Sequence, residues 1–399
     1  MTPVMIAFTY PGQGSQTPGM GEAWRDHPSW ELVGEASEAS GRDIEHLLLR
    51  ADAEELRQTR NSQLSTYVAS MIVLDAVERT GLAPAFHAGH SLGEYSALTG
   101  AGVLSFTDGV RLVTERGNAM QAAADDRAGT MAVVLGLDDE VVAEACRATG
   151  AQVWLANSNA PGQTVVAGDP AAIELVAAAA SDLGAKRVMP IQVGGAFHTP
   201  FMAPAREHLG KAIAGTDLRD AVRPVFANVD ARPHVAGSEW AELLIAQLTA
   251  PVRWRETLGN MVDAGATVFV EIGPGSVLTG LAKRTAKDTK AIGVNSPAKV
   301  DELVGTLGGV VERRAEVEGE TLYAAERLVV SPLTGVFQPS ADLATGSDIE
   351  RGQVVGTVNG TEVRSVFAGA LAGLLAMAGE RVNASQPLAW LRTATIGLS

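Results

Sequence analysis

The sequence predicts an α/β protein: a parallel-sheet core that carries an inserted small α+β subdomain, followed by a small all-β domain at the C-terminus. Three observations predict it. Short β-branched runs alternate with Ala-rich helical stretches, and strand, helix, strand order implies a parallel sheet. Residues 129–194 read as strand, helix, strand, helix, strand in one compact block. After the charged run GVVERRAEVEGE the chain turns Val- and Gly-rich. The expected domains are therefore 1–310 with the subdomain at 129–194, a linker at 311–326, and an all-β domain at 327–396.

Composition bounds the function. Of 399 residues 46% are hydrophobic and 19% charged, the profile of a globular α/β chain with room for two or three domains. Net charge is -15, from 31 basic and 46 acidic residues, which argues against non-selective binding of nucleic acid or anionic membrane. An acidic partner would need a local basic patch. The N-terminal MTPVMIAFTYPGQG has no basic region and too short an apolar run for a signal peptide or a membrane span. The single Cys146 excludes a disulfide framework. A cytoplasmic location is expected.

Val4 to Tyr10 is the first expected strand. In the loop after it, YPGQGSQTPGMG, Gly12 and Gly14 let the Gln13 backbone approach a ligand closely. The loop fits neither G-x-G-x-x-G nor G-x-x-x-x-G-K-[ST], so it reads as an oxyanion donor or a plain turn, not a nucleotide cradle. The second strand, Ala85 to His90, runs into GHSLGEYSAL. Ser91 is there either a helix cap or the nucleophile of G-x-S-x-G, a strained turn in which side chains at Gly89 and Gly93 would collide with neighbouring chain. Leu92 begins the helix, so its N–H and the positive helix end favour an oxyanion on whatever bonds to Ser91.

The helix predicted over Asp108 to Ala124 places Leu112, Val113, Ala119, Met120, Ala123 and Ala124 on one face, with Arg116 in the middle of them. A buried guanidinium needs a partner, either a distant Asp or Glu or a ligand carboxylate held in its fork. The second alternative points to an acidic acyl substrate. Thr130 to Leu135, Gln163 to Ala167 and Thr267 to Ile272 are the remaining expected strands. Most of the seven histidines sit in polar stretches that favour solvated positions, but His198 lies in VGGAFHTPFMAPA beside Phe197, Phe201 and Met202. It is either a buried structural histidine or a neutral base for the Ser91 proton.

These stretches carry a family resemblance. PGQGSQ (11–16), GHSLGEYSAL (89–98), TERGNAM (114–120), NSNAPGQTVVAG (157–168), GAFHTPFM (195–202), QLTAPVRW (247–254) and EIGPGSVL (271–278) resemble malonyl-CoA:acyl carrier protein transacylase, in that family's order, over residues 1 to about 310. The resemblance implies a hydrolase-like core with a ferredoxin-like subdomain. It implies that Ser91 becomes malonylated, that His198 is the general acid/base, and that the N–H groups of Gln13 and Leu92 form the oxyanion hole. Arg116 would bind the malonyl carboxylate, and the Gln247 main-chain carbonyl, not a carboxylate, would orient His198. Gln63 and Asn159 would line the pocket, and Phe197 would limit space beside the α-carbon, as in malonyl-selective relatives. The implied reaction is ping-pong transfer of malonyl from CoA to the phosphopantetheine thiol of acyl carrier protein, for fatty acid or polyketide synthesis.

Carrier proteins are acidic, so docking needs local positive charge. GLAKRTAKDTK (280–290) supplies Lys283, Arg284, Lys287 and Lys290, with Lys186 and Arg187 as a second option, unless these are simply a solvated face. A monomer is expected. In the C-terminal segment, 328–358 and 363–391 resemble each other, and the quasi-repeat is similar to biotinyl and lipoyl domains, flattened barrels of two related halves. Where those carry the cofactor lysine, this chain reads Val358-Asn359-Gly360-Thr361, a good two-residue hairpin turn, and no lysine follows Lys299. Neither biotin nor lipoate can be attached there, and no metal or other cofactor is expected. Two other functions compete. An esterase or thioesterase would share G-x-S-x-G but leave Arg116 without a use, and a non-catalytic assembly protein would not need Ser91, His198 and Arg116 together.

Overall fold

The structure, a computed structural model, describes residues 4–307, 326–383 and 386–392. Contacts divide the chain into two compact units, Met1–Ala76 with Ala83–Val311, and Val77–Leu82 with Glu312–Ser399. Among the described residues, the larger unit holds ten strands: β1 (Ile6–Tyr10), β2 (Phe86–Gly89), β3 (Thr130–Leu135), β4 (Val153–Ala160), β5 (Gln163–Gly168), β6 (Arg187–Ile191), β7 (Val225–Phe226), β8 (Pro233–His234), β9 (Val268–Ile272) and β10 (Lys290–Val294). Its main sheet runs β10-β9-β1-β2-β7-β8, parallel except for the β7–β8 pair. Every residue of β1 and β9 is buried, as expected of parallel strands covered on both faces by crossover helices.

Register places the site. Tyr10 at the end of β1 pairs with Gly89 at the end of β2, so the loops that follow both strands emerge side by side at the carboxyl edge of the sheet. That edge is where open parallel sheets bind ligands.

The inserted subdomain is a four-stranded sheet of order β4-β5-β3-β6 with antiparallel neighbours throughout. Two helices, Asp139–Ala148 and Pro170–Asp182, bury Val142, Cys146, Ile173 and Val176 against Ala132, Val134, Val153 and Val166 of the sheet. The Thr130 and Gln163 strands pair antiparallel within this sheet, inside the block read as the subdomain. One expectation is corrected: the five-element reading lacked β4, whose VWLANSNA breaks strand alternation because its register shifts at Leu155/Asn157 and at Ser158/Ala160.

Among the described residues, the smaller unit has eight strands: β11 (Glu326–Val330), β12 (Gly335–Pro339), β13 (Asp348–Ile349), β14 (Val354–Val358), β15 (Thr361–Arg364), β16 (Gly369–Leu374), β17 (Arg381–Val382) and β18 (Pro387–Arg392). They form two sheets, β11-β18-β16-β13 and β15-β14-β12-β17. Exchanging each strand for the one four places away converts the first order into the second, so the two sequence halves are related by an approximate two-fold. The halves meet at the Asn359-Gly360 hairpin, where φ is 49° and 81° at the two residues, the left-handed pair that such a turn needs. Phe337, Val355, Val363, Leu371, Leu388 and Leu391 fill the core between the sheets. The expected linker 311–326 lies outside the described residues save for Glu326, which opens β11, and residues 393–396 lie outside them too.

Candidate active site

Ser91 stands at the turn between β2 and the helix Gly93–Gly100 with φ 52°, a left-handed conformation costly for a non-glycine residue. The flanking glycines make the turn possible. A Cβ on Gly89 would sit 1.8 Å from the Gly93 carbonyl oxygen, and one on Gly93 would sit 2.1 Å from that of Tyr10. The loop carrying Gln13 packs as closely, since a Cβ on Gly12 would lie 2.4 Å from the His90 carbonyl oxygen. The loop carrying Gln13 therefore packs against the residue that precedes Ser91.

His198, also left-handed at φ 60° and only 4% exposed, faces Ser91 with Nε2 2.8 Å from its Oγ. Its Nδ1 lies 2.9 Å from the Gln247 carbonyl oxygen. A carbonyl can only accept, so Nδ1 carries the proton and Nε2 is left free to accept the serine O–H. Burial, and next the Arg116 guanidinium, push the imidazole pKa down to about 3, so the ring is neutral near pH 7. This arrangement can deprotonate the serine.

Arg116 is 1% exposed on the helix Phe106–Asp126, two residues longer at each end than predicted. Its Nη1 donates to Gln63 Oε1 at 2.6 Å, and its Nη2 to Gln247 Oε1 at 2.8 Å and to Ser91 Oγ at 3.2 Å. Its Nε is buried without a hydrogen-bond partner. The first sequence alternative, a distant Asp or Glu on the guanidinium, is not met directly: the oxygens of Gln63, Gln247 and Ser91 receive it, and the buried carboxylate of Glu94 is reached through Gln247. A buried cation offered only neutral oxygens is a ready seat for an anion, and burial lowers its pKa.

A cavity of about 200 Å³ opens over the serine, between the main sheet's loops and the inserted subdomain. Gln13, Gln63, Ser91, Asn159, Phe197 and His198 line it, with Val277, Leu278 and Leu281 on one wall. Leu92, Arg116 and Gln247 are not part of its wall and reach it through Ser91 and Gln63. The helix Val277–Thr285 that supplies the apolar wall ends in exposed Lys283 and Arg284, with exposed Lys287 and Lys290 after it. Arg284 Nη1 donates to Gln163 Oε1. Lys186 and Arg187 are exposed as well.

Sequence reasoning missed four residues here. The solvated reading of most histidines fails at His87, 2% exposed and 2.9 Å from the Tyr10 hydroxyl, and at His90, which lines the cavity with Nε2 2.8 Å from Asn159 Oδ1. Glu94 and Asn228, each 1% exposed, lie under the elbow. A lone charge in the otherwise neutral GHSLGEYSAL was the available signal for Glu94. Asn228 had none.

A profile of the acyl transferase domain family matches residues 7–319. The malonyl CoA-acyl carrier protein transacylase of Bacillus subtilis is 42% identical over 307 residues, 76% of this chain and 97% of that protein. Its Escherichia coli K12 counterpart is 41% identical over 298 residues, 73% and 96% respectively. Among solved structures, the Coxiella burnetii malonyl CoA-acyl carrier protein transacylase superposes with TM-score 0.74 at 34% identity, covering 77% of this chain and 98% of that one. A malonyl-transacylase solved in complex with its type II polyketide acyl-carrier protein matches with TM-score 0.73 at 37% identity, covering 76% and 99%.

Proposed function

The chain belongs to the acyl transferase domain family, and from that membership and its site we infer an [acyl-carrier-protein] S-malonyltransferase: it moves malonyl from malonyl-CoA to the phosphopantetheine thiol of acyl carrier protein. The observation that carries the reading is Arg116 on Ser91 Oγ while His198 accepts from the same atom. One group activates the nucleophile; the other offers a cation where a malonyl carboxylate would lie.

In the first half-reaction His198 Nε2 takes the Ser91 proton as Oγ bonds to the thioester carbon. The carbon–sulfur bond breaks, and CoA leaves with the proton from His198. In the second, His198 takes the proton of the carrier thiol, sulfur attacks the malonyl-serine, and Ser91 regains its proton. The N–H groups of Gln13 and Leu92 hold the oxyanion in both steps, and the Gln247 carbonyl keeps His198 in its working tautomer. Arg116 fixes the malonyl carboxylate, Gln63 and Asn159 line the pocket, and Phe197 crowds the α-carbon. Thioester for thioester is nearly balanced, so orientation and exclusion of water matter more than driving force.

The order β4-β5-β3-β6 supports reading the subdomain as ferredoxin-like, and the main sheet as a hydrolase-like core. The two-fold pattern of the C-terminal sheets supports a biotinyl/lipoyl-like flattened barrel that carries no cofactor, since its hairpin is Asn359-Gly360. The carrier protein would dock on Lys283, Arg284, Lys287 and Lys290. The enzyme is read as a cytoplasmic monomer; among the described residues no helix is long and apolar enough to cross a membrane.

Intact mass after brief incubation with malonyl-CoA, acetyl-CoA or methylmalonyl-CoA tests the reading. A malonyl adduct on wild type that is absent from Ser91→Ala, and that holo carrier protein discharges, is expected. Hydrolysis of malonyl-CoA without transfer to carrier protein would make the chain a thioesterase, and the absence of any adduct would remove the enzyme reading altogether.

A further inference from the structure

Beneath the elbow lies a carboxylate that neither half-reaction uses. Glu94 Oε2 accepts from Gln247 Nε2 at 2.6 Å, and its Oε1 accepts from the Asn228 N–H at 2.6 Å. Both partners turn their remaining groups to the nucleophile turn. Gln247 Nε2 also donates to the Ser91 carbonyl oxygen at 2.9 Å. Asn228 Oδ1 accepts the Ser91 N–H at 2.7 Å, and its Nδ2 donates to the Gly89 carbonyl oxygen at 2.7 Å.

The Gln247 amide has one donor end and one acceptor end, and which end faces Arg116 decides whether the guanidinium is held or repelled. Acceptors at Glu94 Oε2 and Ser91 O hold the donor end away from Arg116, which leaves Oε1 to receive Nη2 at 2.8 Å. With the amide turned over, N–H would meet N–H. Burial pushes the Glu94 carboxyl pKa up to about 8, and the Asn228 N–H, Gln247 and Arg116 pull it back only in part. Both of its oxygens accept in the structure.

We propose that Glu94 is a positioning residue for acyl selection: acting through the Gln247 side chain, it fixes the orientation of Arg116 over Ser91. The proposal rests on the malonyl transfer read above, with Arg116 as the group that recognises the acyl carboxylate. Glu94 itself does not touch substrate.

The test is the single-turnover rate of Ser91 acylation from malonyl-CoA and from acetyl-CoA, followed by intact mass on the full chain. Glu94→Gln keeps the size of the side chain but sets an amide against the Gln247 N–H or the Asn228 N–H. Gln247→Leu removes the relay yet keeps the main-chain carbonyl that holds His198. Each is expected to lower the malonyl-to-acetyl rate ratio about tenfold or more, and the double variant no further than the worse single, since both break one chain of contacts. Glu94→Asp, which retains the acceptors, should recover part of the ratio. A folded Glu94→Gln with a wild-type ratio, or losses that multiply in the double variant, would overturn the proposal. Should no Glu94 variant fold, Gln247→Leu decides: a reduced ratio supports the relay and an unchanged one overturns it. Wild type is the control for the underlying reading, because its failure to take up malonyl would refute the transferase and not the positioning role.

Discussion

Arg116 Nη2 stands 3.2 Å from the Ser91 hydroxyl oxygen, so the cation proposed to hold the acyl carboxylate bonds to the proposed nucleophile itself. A charged fork on a carboxylate in a buried site contributes roughly 3 kcal/mol, or about a hundredfold in rate. Arg116→Ala should therefore lower Ser91 malonylation about a hundredfold while acetylation changes far less. Arg116→Lys should fall between, because one ammonium cannot span both Gln63 and Gln247 as the fork does. Equal losses for both acyl groups, measured by adduct mass, would assign Arg116 to structure alone.

The depressed His198 pKa predicts how rate and stability depend on pH. Its imidazole titrates at about 3 in the folded chain, whereas an unfolded histidine titrates near roughly 6.5. Between those values the unfolded state binds more protons, so this contribution to stability is complete above pH ~6.5 and is lost as pH falls towards the folded value. Single-turnover acylation should accordingly show no acid limb near pH ~6.5. In Arg116→Ala, where one of the lowering charges is gone, the limb should move upward. A limb near pH ~6.5 in wild type would mean that the ring is not shielded as drawn.

Gly89→Ala tests the elbow. The added Cβ would lie 1.8 Å from the Gly93 carbonyl oxygen and 2.3 Å from the Glu94 nitrogen, both backbone atoms that cannot swing aside. Destabilisation by about 3 kcal/mol or more is expected in chemical denaturation, together with loss of the acyl adduct. An unchanged midpoint with retained acylation would show that the turn has slack.

Charge reversal at Lys283 and Arg284 separates docking from chemistry. Both are exposed at the end of the helix whose first turns wall the cavity. Their replacement by Glu should raise KM for carrier protein several-fold at low salt, with the difference shrinking as salt rises, and leave KM for malonyl-CoA unchanged. Equal effects on both substrates would locate the damage inside the cavity.

Much of the site was legible because its signals are local. Gly89, Ser91 and Gly93 lie within five residues and define a turn by steric exclusion. Arg116 stood out because a helical wheel places it on an apolar face. Its partners were not legible, because Gln63 and Gln247 lie 53 and 131 positions away in sequence. β4 escaped because its bulges abolish the alternation by which a strand is recognised. The Asn359-Gly360 turn needed no tertiary information, since two left-handed residues in succession suit few other pairs.

By itself the sequence determined the α/β class, the glycine-flanked turn at Ser91, the burial of Arg116 and the Asn359-Gly360 hairpin, because steric and hydrophobic patterns act over a few residues. The tertiary structure decided what those residues bond to. Parallel pairing of β1 with β2 brings the Gln13 loop to Ser91, and folding of distant segments sets Gln247 between His198, Arg116 and Glu94. Buried hydrogen bonds at 2.6–2.9 Å depend on the placement of whole elements, which local pattern does not specify.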